Sequence, residues 1–121
     1  MKVLILGRGK LGRTLHASLR IGQRTGAHAF ESNLRSARAP GATGKADVII
    51  LAVPDAHIAS VARQIGPTIR RESCVLHCAG ARTADDLRAL KTRDDGGPAI
   101  GAMHPLVSFA SKSGSPSLTG R

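Results

Sequence analysis

A run of four aliphatic residues, Val3-Leu4-Ile5-Leu6, stops at a glycine and passes at once into a leucine-striped segment, which leaves this chain few ways to fold. A short continuous apolar run bounded by glycine reads as a strand covered on both faces, as in a parallel sheet. From Lys10 the spacing changes. Leu11, Leu15 and Leu19 recur every four residues while Arg13, His16 and Arg20 fall between them, which predicts an amphipathic helix ending near Gly22. Strand therefore gives way to helix across Gly7-Arg8-Gly9-Lys10-Leu11-Gly12. A lone G-x-G-x-x-G is weak evidence, but between a buried strand and a helix it has the context of a dinucleotide-binding fingerprint. There the first glycine permits a tight turn, the second lets the backbone approach a pyrophosphate, and the third lets helix pack closely on strand. The helix N-terminus adds free N–H groups and roughly half a positive charge. The competing reading is a tight turn without a ligand, and Arg8 divides likewise between solvent and the pyrophosphate.

The rest of the chain repeats the alternation. Asp47 to Val53 restores the buried-strand pattern and stops at Pro54, and Asp55 is placed to cap a helix carrying Ile58, Val61, Ala62 and Ile65. Ser73 to His77 makes another strand, and Thr83 with Asp86 resembles a capping box opening a helix with Leu87 and Leu90. After the turn cluster Asp94 to Pro98, Ala99 to Met103 forms a last strand. A short second strand is placed at Ala27 to Glu31, with a short helix or loop over Asn33 to Lys45. Strands alternating with helices imply right-handed crossovers, so the fold expected is α/β, doubly wound, with a mainly parallel, Rossmann-like sheet in a single domain. Residues 1–110 would form the dinucleotide-binding domain and 111–121 a flexible tail or a linker cut short.

Composition narrows the partners. Eighteen basic against eight acidic residues give a net charge of +10, which reads either as basic side chains scattered over solvated faces or as a field that steers an anionic ligand. Phe30 and Phe109 are the only aromatics, too few for a base-stacking platform, and no stretch reads as a basic DNA-reading helix, so no nucleic-acid partner is expected. The longest apolar run, Val48 to Val53, falls far short of the ~18 residues of a membrane span, and no membrane partner is expected. The N-terminus lacks an apolar stretch of signal-peptide length. Cys74 and Cys78 have the wrong spacing for thioredoxin chemistry and are too few for zinc, so they read as buried reduced thiols of a cytoplasmic protein with no metal.

The choice of dinucleotide turns on the end of the second strand. A carboxylate there holds a ribose 2′-hydroxyl, whereas a basic residue accommodates a 2′-phosphate. If Glu31 ends the strand, NAD is favoured; if the strand ends one residue later, Ser32, Asn33, Arg35 and Arg38 meet the phosphate, and NADP is the expectation adopted, with NAD possible. A solvated face is the competing reading of Arg35 and Arg38.

Gly7 to Gly12, Ala46 to Asp55, Val75 to Ala81 and Gly101 to Leu106 together resemble the N-terminal Rossmann-like domain of the 6-phosphogluconate dehydrogenase-like superfamily. The nearest pattern is that of two-domain bacterial oxidoreductases whose helical C-terminal domain has no assigned function. The resemblance covers residues 1 to about 110. It implies that Val53 and Pro54 edge the cofactor cleft, that Ala79 and Gly80 line it near the nicotinamide, and that Ser32-Asn33 takes the place handling the adenosine ribose or its phosphate. Ser-Arg is the commoner pair there, and Asn33 departs from it. The resemblance also places the substrate site between this domain and a helical one.

His104 follows the last expected strand, where side chains reach the crevice at the carboxyl ends of a parallel sheet. It is the candidate catalytic residue, orienting or protonating a substrate oxygen; its other reading is a histidine that fixes the turn before Pro105. His77 lies inside a strand and reads as a satisfied core or cleft residue. The function expected is the cofactor domain of an oxidoreductase moving hydride between NADP and an unidentified small substrate, with a non-catalytic dinucleotide-binding or sensing module as the alternative. Since hydride transfer needs substrate and nicotinamide enclosed together, the chain alone is expected to bind cofactor without turnover, completed by a helical C-terminal domain or a homodimer partner.

Overall fold

The aliphatic runs form the strands of one sheet in the computed structural model, which describes residues 1–24, 31–79, 83–91 and 96–103, with backbone alone over 21–24. The strands are β1 (Lys2–Leu6), β2 (Glu31–Arg35), β3 (Val48–Leu51), β4 (Cys74–His77) and β5 (Ala99–Ala102), and the α-helices are α1 (Lys10–Arg24) and α2 (Ile58–Ile65). The five strands lie in the order β2-β1-β3-β4-β5, and every pairing is parallel. This is the α/β, Rossmann-like single-domain sheet expected. The order reverses at β1 and β3, whose carboxyl ends flank the crevice where such sheets bind ligands.

Alternate side chains of the sheet feed two cores. Leu4, Leu6, Ile49, Leu51 and Val75 face Ile58, Val61, Ala62 and Ile65 of α2 and the pair Leu87 and Leu90. On the other face Val3, Ile5 and Ile50 meet Leu15, with Leu11, Leu19 and Leu34 packed alongside. The leucine stripe of α1 is therefore the stripe it buries. Among the described residues no helix is long and apolar enough to cross a membrane.

Three elements differ from the expectation. The second strand begins at Glu31, where it was expected to end; Ala27 to Phe30 lie outside the described residues. Asp55 makes no side-chain cap, because a 3₁₀ turn over Asp55–His57 separates it from α2. The segment Ala84–Leu90 is a 3₁₀ helix in which Thr83 Oγ1 accepts from the Asp85 N–H at 3.3 Å, rather than an α-helical capping box with Asp86. Leu87 and Leu90, three residues apart, share one face at the three-residue period of that helix and are both buried.

The amino end of the sheet is held by Asp47. Its Oδ2 accepts from the Lys2 backbone N–H at 2.7 Å and its Oδ1 from the Arg70 guanidinium at 2.8 Å, while Arg70 and the Ser73 hydroxyl both donate to the Ala46 carbonyl, at 3.0 and 2.7 Å. The Lys2 N–H first, and then Arg70, hold the Asp47 carboxyl below its ordinary value of 3.8. A depressed carboxylate adds stability above its unfolded pKa, and this is lost as pH falls through the folded value. Melting temperature should therefore fall with acidification below about pH 4, and less steeply in Asp47→Asn than in the parent. Equal acid slopes would remove Asp47 from this role.

Candidate functional site

The crevice is built from the loop after β1 and the ends of its two neighbours. The Gly7 N–H donates to the Arg35 carbonyl at the end of β2, and the Ala52 N–H, just past β3, donates to the Leu6 carbonyl at 2.8 Å. Gly7 has φ +123°, a region closed to L side chains, and a Cβ there would strike the Ala52 carbonyl. A Cβ at Gly12 would strike the Gly7 carbonyl. These two glycines are thus required by the backbone itself, one for the turn and one for the close passage of α1.

Gly9 is different. Its φ is not in the positive region, and a Cβ built on it meets no atom of the described residues within 4 Å. Its carbonyl accepts from the Arg13 N–H at 3.1 Å, so it stands at the N-cap of α1, where serine, aspartate or asparagine would serve the helix better. The protein alone supplies no reason for glycine there. A ligand lying against the backbone would supply one, and the N–H groups of a helix's first turn, which have no carbonyl within the helix, suit an anion.

Basic side chains gather around this loop. Arg8 is exposed, and its carbonyl accepts from Arg13 Nε at 2.8 Å, which ties the loop to the first turn of α1. Arg13 was not singled out in the sequence; a long donor one turn past Gly9 is the signal that would have found it. Lys10 opens α1, and Leu11 packs into the core beneath it. Val53 is half-buried and Pro54 exposed just past β3. Together with Ala37, Arg38, His57, Ser60, Val61 and Gln64 they line a cleft of about 310 Å³.

Ser32 and Asn33 stand apart from that cleft. Ser32 pairs with Val3 and Asn33 with Leu4, early in β2, and their side chains take opposite faces of the sheet. Ser32 Oγ is hydrogen-bonded to His16 Nδ1 of α1 at 2.7 Å. Burial, and then the charge of Arg20, hold the His16 imidazole below its ordinary value of 6.5, so that pair is neutral at pH 7. Asn33 lines a smaller cleft of about 190 Å³ at the amino end of the sheet, with Lys2, Glu31 and Lys45. The residue at the carboxyl end of β2 is Arg35, exposed and level with Leu6. The strand runs on past the point expected, so Ser32 and Asn33 lie early in β2 and Arg35, with the loop behind it, stands at its carboxyl end.

Past β4 the backbone is shaped by His77, which is fully buried. Its Nδ1 accepts from the Ala79 N–H at 3.1 Å and its Nε2–H donates to the Thr83 carbonyl at 2.5 Å, the tautomer that satisfies both backbone groups. Ala79 is buried at the carboxyl edge of the sheet; Gly80 and His104 lie outside the described residues. Cys74 and Cys78 are free and half-buried rather than fully buried, and burial pushes the Cys78 thiol up to about 11, which makes it a poor nucleophile at neutral pH.

No protein-family model matches the chain and no curated protein matches it.

Proposed function

We propose that the chain binds a nicotinamide dinucleotide, with the pyrophosphate over Gly9 and the adenosine directed toward the end of β2, as the cofactor domain of an oxidoreductase. The observation that carries this reading is Gly9, a glycine that neither its backbone angle nor its neighbours require, at the mouth of α1 between two glycines that the fold does require. The nicotinamide supplies the hydride-transfer chemistry. What this chain's own residues do is bind and orient: the Gly7 to Gly12 loop meets the pyrophosphate, Val53 and Pro54 border the cleft, and Arg35 faces the ribose.

NADP is the preferred form in this reading, because the end of β2 carries Arg35 with Arg38 three residues on, and no carboxylate stands at that end. The chain contains neither Trp nor Tyr, so NADPH and NADH fluorescence titrations run against a clean background. NADPH should bind about 10- to 100-fold more tightly than NADH, the span of one charge-assisted hydrogen bond. Arg35→Ala should bring the two affinities together. A fluorescence signal unchanged by the protein for both reduced cofactors at millimolar levels would reject the function, and a ratio untouched by Arg35→Ala would leave that arginine merely solvated.

A further inference from the structure

We propose that His57 is a specificity-determining residue of this same site, a second cation that faces the adenosine 2′-phosphate from across the cleft and strengthens the preference for NADP as pH falls. The proposal rests on the dinucleotide reading above. The cleft begins at the carboxyl ends of β2 and β3, the two neighbours of the strand that carries the glycine loop. Its lining is partly apolar, from Ala37, Val53, Pro54 and Val61, which suits a flat ring, and carries Arg38 from the loop after β2 and His57, Ser60 and Gln64 from the turn and helix after β3. A dinucleotide whose pyrophosphate crosses Gly9 and whose adenosine enters this cleft brings its ribose to those polar side chains.

Among the described residues, Arg38 and His57 are the lining residues that can carry positive charge, and no carboxylate lines the cleft. Of the neighbouring charged groups, Asp55 on the same 3₁₀ turn and Arg63 further along α2 are exposed and do not line it, while Arg35 stands at the end of β2. The Ser60 hydroxyl donates to the His57 carbonyl at 3.0 Å, which steadies the turn bearing the imidazole. The imidazole nitrogens themselves have no hydrogen-bond partner among the described residues. A neutral imidazole offers one N–H, whereas the protonated ring offers two and a charge. A dianionic phosphate between Arg38 and His57 removes the repulsion that two cations would otherwise feel.

The 2′-phosphate monoester itself changes charge near pH 6, so a pH profile of the parent alone cannot assign the contact. The discriminating comparison is His57→Gln against the parent, by NADPH and NADH titration at pH 6 and pH 8.5. At pH 6 the variant should bind NADPH about 10-fold more weakly, with NADH within about twofold and the NADPH deficit at pH 8.5 reduced to about twofold. Arg38→Gln, read alongside, should weaken NADPH at both pH values, because guanidinium does not titrate there. A His57→Gln loss shared equally by NADPH and NADH, a loss equal at both pH values, or no loss overturns the proposal. A parent that does not distinguish the two cofactors overturns it while leaving dinucleotide binding intact; a parent that binds neither overturns the dinucleotide reading itself and the proposal with it.

Discussion

Gly9→Val is expected to abolish NADPH binding while leaving the fold almost untouched, and Gly12→Ala to do the reverse. A valine at position 9 meets no atom of the described residues near its Cβ and needs no disallowed backbone angle, so its melting temperature should stay within about 3 °C of the parent. It does place a branched side chain where the pyrophosphate must approach. Gly9→Ser sharpens the test. Serine is a better N-cap than glycine by a few tenths of a kcal/mol, so this variant should be as stable as the parent or slightly more so, yet bind NADPH much more weakly. At Gly12 the added methyl collides with the Gly7 carbonyl, a backbone group that cannot swing aside as a side chain would. Overpacking of this kind costs about 3 kcal/mol or more, roughly 10–20 °C in melting temperature for a domain of this size. Any remaining NADPH binding by Gly12→Ala should scale with its folded fraction. If Gly9→Val and Gly9→Ser bind NADPH like the parent, the glycine loop is a packing device and nothing more.

The difference between these glycines was only half visible in the sequence. Spacing put all three between a strand and a helix, but which of them the backbone needs depends on close contacts, at Gly7 with the Ala52 carbonyl 45 residues away just past β3 and at Gly12 with the Gly7 carbonyl. The strands β1 and β3 were legible because each is an aliphatic run largely buried at the centre of the sheet, and β4 and β5 because short apolar segments there are bounded by turn residues. β2 was not. Its sequence, Glu31-Ser32-Asn33-Leu34-Arg35, has a single aliphatic residue, and as an edge strand it is specified by pairing to β1 and by Leu34 packing beneath α1. Local propensity carries none of that information. The consequence reached the candidate site, because the strand's carboxyl end falls at Arg35 rather than at Glu31. His57 escaped for the same reason: it lies 19 residues from Arg38 in the chain, and the two line one cleft only because the loop after β2 and the turn after β3 end at one edge of the sheet.

His77→Leu should be the most damaging single change outside the glycine loop and the hydrophobic core. The imidazole is wholly buried, accepts from the Ala79 N–H and donates to the Thr83 carbonyl, and so spans the loop that joins β4 to the 3₁₀ helix over Ala84–Leu90. Leucine fills a similar volume but takes the partner from both backbone groups, of which the Ala79 N–H is buried and the Thr83 carbonyl part-buried. Each such group costs about 1–3 kcal/mol, so a loss of roughly 2–5 kcal/mol is expected, on the order of 10–20 °C in melting temperature. His77→Gln separates this account from simple packing. Its amide N–H₂ can still donate to Thr83 from near the position of Nε2, while the acceptor for Ala79 is lost, so it should recover about half of the deficit. Because Leu87 and Leu90 pack on the same face of the sheet as His77, releasing Thr83 also loosens the start of the helix that buries them. Chemical denaturation of both variants against the parent decides the matter. Equal destabilisation by leucine and glutamine would mean that shape alone matters at position 77, and a leucine variant as stable as the parent would show that the loop finds other partners for both groups.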